Sequence, residues 1–255
     1  MSSTSPTGPG GRSPEELWSS VVSRAPSVVK TSAESGAAGF CAIVPTYYGF
    51  MAKNAQQVGN PIPRMSVTHA LRAGYGVAPQ LGFTVFVQTA VQRTTELVLG
   101  NLSNHRKDNT ITPEMVVGSL VGGCVSAPLW AKFNAKARMQ PDGKTVKPLS
   151  AKQTGAIVAR ETSFLLSLRI SEPVSEAMEC RFGKNKVVKY GSAFITGAAG
   201  SLCGHPFDTA LTVWQEGMKP SLRHCMRGAL IKSVATGGFY VCYTIAKECF
   251  KSLEN

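Results

Sequence analysis

Charge is scarce in this chain. Only 16% of its 255 residues are Asp, Glu, Lys or Arg, against about a quarter in an ordinary soluble domain. The seven cysteines include no Cys-x-x-Cys pair, which at this length argues against both a disulfide framework and a zinc site. Cys41 and Cys124 each sit four residues before a proline and read as equivalent small packing residues. The four histidines are scattered and offer no metal-ligand spacing. There is no Gly-rich phosphate loop, no nucleophile beside a base and no carboxylate pair at a useful spacing. The expectation is therefore a protein that is not an enzyme and holds no cofactor or metal.

What is present is a pattern that recurs. The run Gly204-His205-Pro206-Phe207-Asp208-Thr209 follows an uncharged stretch from Tyr190 to Pro206. Pro206 has no backbone N–H, so a helix passing through it is expected to kink. Asp208 then places a carboxylate beside an apolar run long enough to enter a bilayer, where a charge needs a polar interior and a partner. Pro45 and Pro128 lie in similar runs, spaced 83 and then 78 residues to Pro206. Six residues before each proline is a glycine, at Gly39, Gly122 and Gly200. Lys53 and Lys136 stand eight residues after the first two prolines, and Gln57 and Gln140 twelve after. Three units of about 80 residues mean an internal repeat.

The run His-Pro-Phe-Asp-Thr with Gln215 beyond it, and the threefold Pro and Gly register, resemble the mitochondrial carrier family over about residues 33–252. That family has three repeats of two membrane helices, with Pro-x-[Asp/Glu]-x-x-[Lys/Arg] ending each odd helix. Here the acidic positions carry Tyr47, Trp130 and Asp208, and the basic positions Phe50, Phe133 and Leu211, so one of the six charges survives. The resemblance implies an all-α membrane protein of six transmembrane helices in three tandem repeats: 33–100, 112–182 and 189–252. Residues 1–32, rich in Ser, Pro and Gly, read as a flexible tail, although Pro14-Glu15-Glu16 after Ser13 is a helix-start signal.

Charge sorts by alternate loops. Loops 53–72, 132–160 and 215–227 carry net charges of +3, +6 and +2. The segments 1–35, 93–114 and 247–255 each carry 0, and 169–189 carries +2. This is positive-inside asymmetry and argues against a nucleic-acid partner for a net charge of +12. The spans read as 36–52, 73–92, 115–131, 162–168 extended by its repeat equivalence, 190–214, and 221–253. The run 73–92 is 20 residues without a formal charge. Gly118-x-x-x-Gly122 offers a smooth ridge to a neighbour. Glu161, Arg169, Glu172 and Glu176 in the fourth span must face a cavity or a partner.

The resemblance assigns roles residue by residue. The closure on the matrix side falls to Tyr47, Phe50, Trp130, Phe133, Asp208 and Leu211, with Lys53 and Lys136 one turn beyond the usual basic positions and within reach of Asp208. Lys247 is the recognisable member of the closure on the intermembrane side. Gln80, Arg169 and Lys232 fall near the depth of substrate contact, with Lys232 a contact for an anion. Pro45, Pro128 and Pro206 are the expected kinks. The partners implied are the lipid bilayer, cardiolipin within it, and subunits of a respiratory or other mitochondrial membrane complex.

Opening a closure made of two Phe, a Trp, a Tyr and a Leu would expose apolar surface at a cost on the order of 10 kcal/mol. The expected function is thus a degenerate carrier of the mitochondrial inner membrane, serving as a structural or docking subunit with little or no transport. The alternative is an active, divergent carrier of a small anionic metabolite.

Overall fold

The computed structural model describes residues 14–103, 112–137, 149–221 and 225–253. They form six long helices: α1 (Pro14–Val58), α2 (Val67–Ser103), α3 (Pro113–Ala137), α4 (Ala151–Phe182), α5 (Lys186–Gln215) and α6 (Ala229–Leu253). The chain is all-α. Each helix packs on its neighbour in sequence, and α6 packs back on α1, so the six close into a ring.

Local chemistry sets several of the ends. Ser150 and Gln153 make a reciprocal capping box at the start of α4. The Asn185 side chain accepts from Val188 N at the start of α5. Gly228 has φ +75°, in the left-handed region that favours glycine. Its turn starts the last helix at Ala229, not at Ser221 as the sequence suggested. The helices pack closely where glycine permits. A Cβ on Gly36 would lie 2.8 Å from the Gly82 carbonyl oxygen, and one on Gly82 2.9 Å from that of Gly36. The Gly118/Gly122 ridge is used as expected: Gly118 meets α2 at Gln92, and Gly122 meets Leu165 and the Gln88 carbonyl. Pro45, Pro128 and Pro206 all lie inside helices that continue past them.

Residues 14–32 belong to α1 and not to a tail; residues 1–13 lie outside the described residues. Pro14 suits a first helical position. Once the ring orders the rest of α1, extending it outward avoids the cost of nucleating a separate helix. This outer arm shows Trp18, Val22 and Val29 at 71%, 52% and 57% exposure.

Polarity is distributed from the inside out. Phe83, Leu120, Val125, Ile195, Leu230 and Val234 are exposed, while Gln57, Gln88, Gln92, Ser119, Ser126 and Thr209 are buried. Cys41 and Cys124 do not pack inside; both are exposed, on the outer faces of α1 and α3. Among the described helices only α6 is long and apolar enough by itself to cross a membrane. The other five carry interior polar groups, such as Ser32, Ser35 and Lys53 in α1 and Arg160 and Glu161 in α4, which lower their mean hydropathy.

Candidate functional site

Side chains from four helices meet inside the ring around Asp208, which is 3% exposed. Lys53 from α1 donates to Asp208 Oδ2 at 2.6 Å, so the lysine contact expected one turn beyond the usual position is present. Arg160 from α4 donates to Asp208 Oδ1 at 3.0 Å. Lys232 Nζ from α6 stands 3.4 Å from Asp208 Oδ2. Gln57 completes the inner shell: its Nε2 donates to Asp208 Oδ2 at 3.2 Å and to Thr209 Oγ1 at 2.8 Å, and its Oε1 accepts from Thr212 at 3.1 Å.

The network continues outward. Arg160 Nε donates to Glu161 Oε1 at 2.7 Å. Glu161 Oε2 accepts from Gln88 of α2 at 2.8 Å, and Gln88 also donates to Ser126 of α3 at 2.9 Å. The guanidinium of Arg160 lies 4.6 Å from the centre of the Trp130 ring, close enough for a cation–π contact. His205 donates from Nε2 to the Arg227 carbonyl at 3.1 Å, tying the proline turn of α5 to the segment before α6.

This corrects the expectation of an apolar closure. Trp130 sits under a guanidinium, and Phe50 lines the cavity beside the charges. Tyr47 is buried in the main core, and Leu211 in a small second core with Ala127, Ala156 and Ile157. The layer at Asp208 is ionic because α4 brings Arg160 and Glu161 to it. The side chains of Phe133 and Lys136 lie outside the described residues.

Two cavities lie inside the ring. The inner one, about 90 Å³, is lined by Phe50, Trp130, Arg160, Phe164, Asp208 and Lys232 among others. The outer one, about 270 Å³, is lined by Arg93, Arg169, Glu172, Tyr243, Lys247 and Lys251 among others. They share no lining residue. Along α1 the outer cavity comes first, at Ser35, and the inner second, at Lys53; along α4 and α6 the inner comes first, at Arg160 and Lys232, and the outer second, at Arg169 and Lys247.

Between the cavities is an aromatic layer. Phe164 and Phe239 face the inner cavity, Tyr240 and Tyr243 the outer. Their ring centres are 5.8–6.3 Å apart in the contacts Phe164–Phe239, Phe164–Tyr240, Phe239–Tyr240 and Phe239–Tyr243. The Tyr240 hydroxyl is 2.6 Å from Ser167 Oγ and donates to the Phe164 carbonyl at 3.0 Å. Only Phe239 and Tyr243 are stacked; the other contacts are tilted or edge-on, and the anchored Tyr240 hydroxyl holds its ring among them.

The outer cavity has its own ion pairs. Arg169 Nε is 3.1 Å from Glu96, Lys251 Nζ is 4.0 Å from Glu172, and Lys189 Nζ is 2.6 Å from Glu248. The hydrogen bond to Glu248 holds the Lys189 ammonium above its ordinary pKa. Lys247 lies 5.8 Å from the centre of the Tyr243 ring.

The three candidate substrate contacts do not converge. Lys232 borders the inner cavity and Arg169 the outer, while Gln80 borders neither and donates to the Leu129 carbonyl at 3.4 Å. Arg160, Glu161 and Gln88 were not singled out as site residues from the sequence. The signal for the first two was present, as adjacent charges in a helix that the repeat placed among the spans.

Comparison with models of known families, with curated proteins and with solved structures found no match to this chain.

Proposed function

We propose that the chain is a degenerate mitochondrial-carrier-like protein of the mitochondrial inner membrane, its six helices crossing the bilayer as three two-helix repeats. On this reading it is a structural or docking subunit of a mitochondrial membrane complex, with little or no transport. The closed ring, the prolines inside α1, α3 and α5, and the apolar exterior over a polar interior support the membrane reading. The bilayer is then the solvent of the outer face, and cardiolipin and complex subunits are its proposed neighbours.

The observation that carries the static reading is the layer of Phe164, Phe239, Tyr240 and Tyr243 across the bore. Alternating access needs two states within a few kcal/mol of each other. A bore filled with rings in mutual contact, one of them tied by its hydroxyl, must unpack them to pass a solute, and each aromatic buries some 150–250 Å².

One observation favours the second reading, an active carrier of a small anion. The layer at Asp208 is ionic, so its groups are rehydrated when it opens, and Lys53, Arg160 and Lys232 all approach Asp208 there. One experiment separates the two. Mitochondrial membranes solubilised in a mild detergent are resolved by native electrophoresis, and the purified protein is reconstituted in liposomes. The structural reading expects migration far above the 27.1 kDa of the chain and no saturable uptake. Migration as a monomer with saturable exchange of an anionic metabolite overturns it.

A further inference from the structure

The outer cavity has an acidic wall and a basic one. Glu172, Glu176 and Glu179 of α4 border it, and their spacing of i, i+4 and i+7 puts them on one face of that helix. Lys247 and Lys251 of α6 border it at i and i+4, and Arg93 of α2 adds a third cation. Helix α4 packs on α3 and α5, and α6 on α5 and α1, so the bore lies between the two walls. Among these six groups the one ion pair is Lys251 with Glu172, at 4.0 Å and with both side chains more than half exposed. Lys247 rests 5.8 Å from the centre of the Tyr243 ring, with no carboxylate of a described residue in ion-pair reach. Glu176 and Glu179 likewise have no described cation in reach. The remaining cations of the lining, Arg169 and Lys189, are taken by Glu96 and Glu248. Register brings the two signs to one level. Tyr240 bonds to Phe164 and Ser167, and about 10 Å further out along each helix stand Lys247 on α6 and Glu172 on α4.

We propose that the outer cavity binds a small zwitterion of the α-amino-acid class, its carboxylate on Lys247 and Arg93 and its ammonium on Glu172 and Glu176. Charge selects the class. A dicarboxylate or a phosphate would set part of its charge against the glutamates of α4, and a diamine against the cations of α6, and like charges brought together are costly. A ligand carrying both signs satisfies both walls with charge-assisted hydrogen bonds. Size agrees: the cavity, about 270 Å³, lies just under the roughly 300–1,000 Å³ of most small-molecule pockets, which suits a compact ligand. The existing contact across the walls, Lys251 with Glu172, is long and exposed, so the ligand displaces little. The aromatic layer separates this cavity from the inner one, and the two share no lining residue. Binding here needs no passage through the bore. The site therefore stands apart from the carrier reading, and its failure would leave that reading untouched.

The test is isothermal titration of the purified full-length protein, in detergent at pH 7, with the standard L-amino acids. Any that binds is followed by its amide, which lacks the carboxylate, and its N-acetyl form, which lacks the ammonium. The expected result is saturable binding of at least one amino acid, with a loss of about tenfold or more in affinity for both modified forms. Lys247→Met and Glu172→Gln are each expected to weaken binding by about the same factor. Lys152→Gln, on the exposed surface, binds like the natural chain. Absence of binding by every amino acid overturns the proposal. So does an amide or N-acetyl form that binds as tightly as its parent, or unchanged affinity in Lys247→Met or Glu172→Gln. If a variant does not fold, the three forms of the ligand on the natural protein decide: loss of affinity in both modified forms supports the site, and equal affinity in either refutes it.

Discussion

Around Asp208, three cations and two carboxylates have side chains 2–9% exposed, whereas at the other end Lys189, Glu248, Lys251 and Glu172 are 34–61% exposed. The residue types are nearly the same, and so are the shortest distances, 2.6 Å for both Lys53–Asp208 and Lys189–Glu248. The difference lies in what happens when one partner is removed. At the outer end water takes over the orphaned charge, and such pairs are worth about 0–1 kcal/mol. At the inner end the orphan stays buried, at a cost of about 3–5 kcal/mol. Distance alone therefore does not identify the pair on which the structure depends.

The comparison is broken most directly at Asp208. Asp208→Asn removes the carboxylate that Lys53, Arg160 and Lys232 all approach and leaves Glu161 beside Arg160. It is expected to cost about 3–5 kcal/mol, a fall on the order of 10 °C in melting temperature for a chain of this size. A fall under about 2 °C would mean that water reaches the inner end, and the contrast between the ends would dissolve.

A steric change, indifferent to charge, gives the next effect. A Cβ on Gly74 would collide with the backbone of Val44, its carbonyl oxygen above all. Gly74→Ala is expected to cost about 1–3 kcal/mol as α1 and α2 are pushed apart. Its melting temperature should fall by the same amount at low and high salt. A fall that salt relieves would mean that α1 acts through the cluster at Lys53.

The layer between the ends comes third. Tyr240→Phe removes the hydroxyl that meets Ser167 and the Phe164 carbonyl while keeping the ring. About 1 kcal/mol is expected, read as a small fall in melting temperature. No change would show that packing alone holds the layer.

The smallest effect belongs to the outer end. Lys189→Gln is expected to cost under about 1 kcal/mol, and 0.5 M salt should remove the difference from the natural chain. The bond to Glu248 raises the Lys189 pKa. Its contribution is therefore present below the ordinary lysine value and lost as pH rises through the raised one. A salt-resistant loss of several degrees would place this pair with the inner ones.

The all-helical class, the proline positions and the meeting of Lys53 with Asp208 were legible in the sequence, because each rests on a short-range pattern repeated at long intervals. Arg160 was not, and of Glu161 only the need to face a cavity or a partner could be read, not its place in the network. Two charges beside an apolar run mark the end of a span as readily as a buried network, and what decides is Asp208, 48 residues away, and Gln88, 73 residues from Glu161. The aromatic layer was equally hidden. Phe164, Phe239, Tyr240 and Tyr243 belong to two helices, and an aromatic on a helix has no local mark of facing a bore and not a neighbour. The arm of α1 was missed for a different reason. Ser, Pro and Gly suggest a tail when weighed alone, but here the ring supplies a helix already nucleated, and Trp18 to Val29 continue it.

That arm has a mechanical side. At 1.5 Å per residue, the 45 residues of α1 make a rod of about 67 Å, more than twice the roughly 30 Å thickness of a hydrocarbon layer. Trp18 rides near one tip, and Lys53, 35 residues further on, grips Asp208 near the other. A rod of this kind is a lever. A push on Trp18 is either absorbed as bending at Pro26 or Pro45, the two places where the chain of backbone hydrogen bonds is interrupted, or delivered some 50 Å away as strain on the Lys53–Asp208 bond.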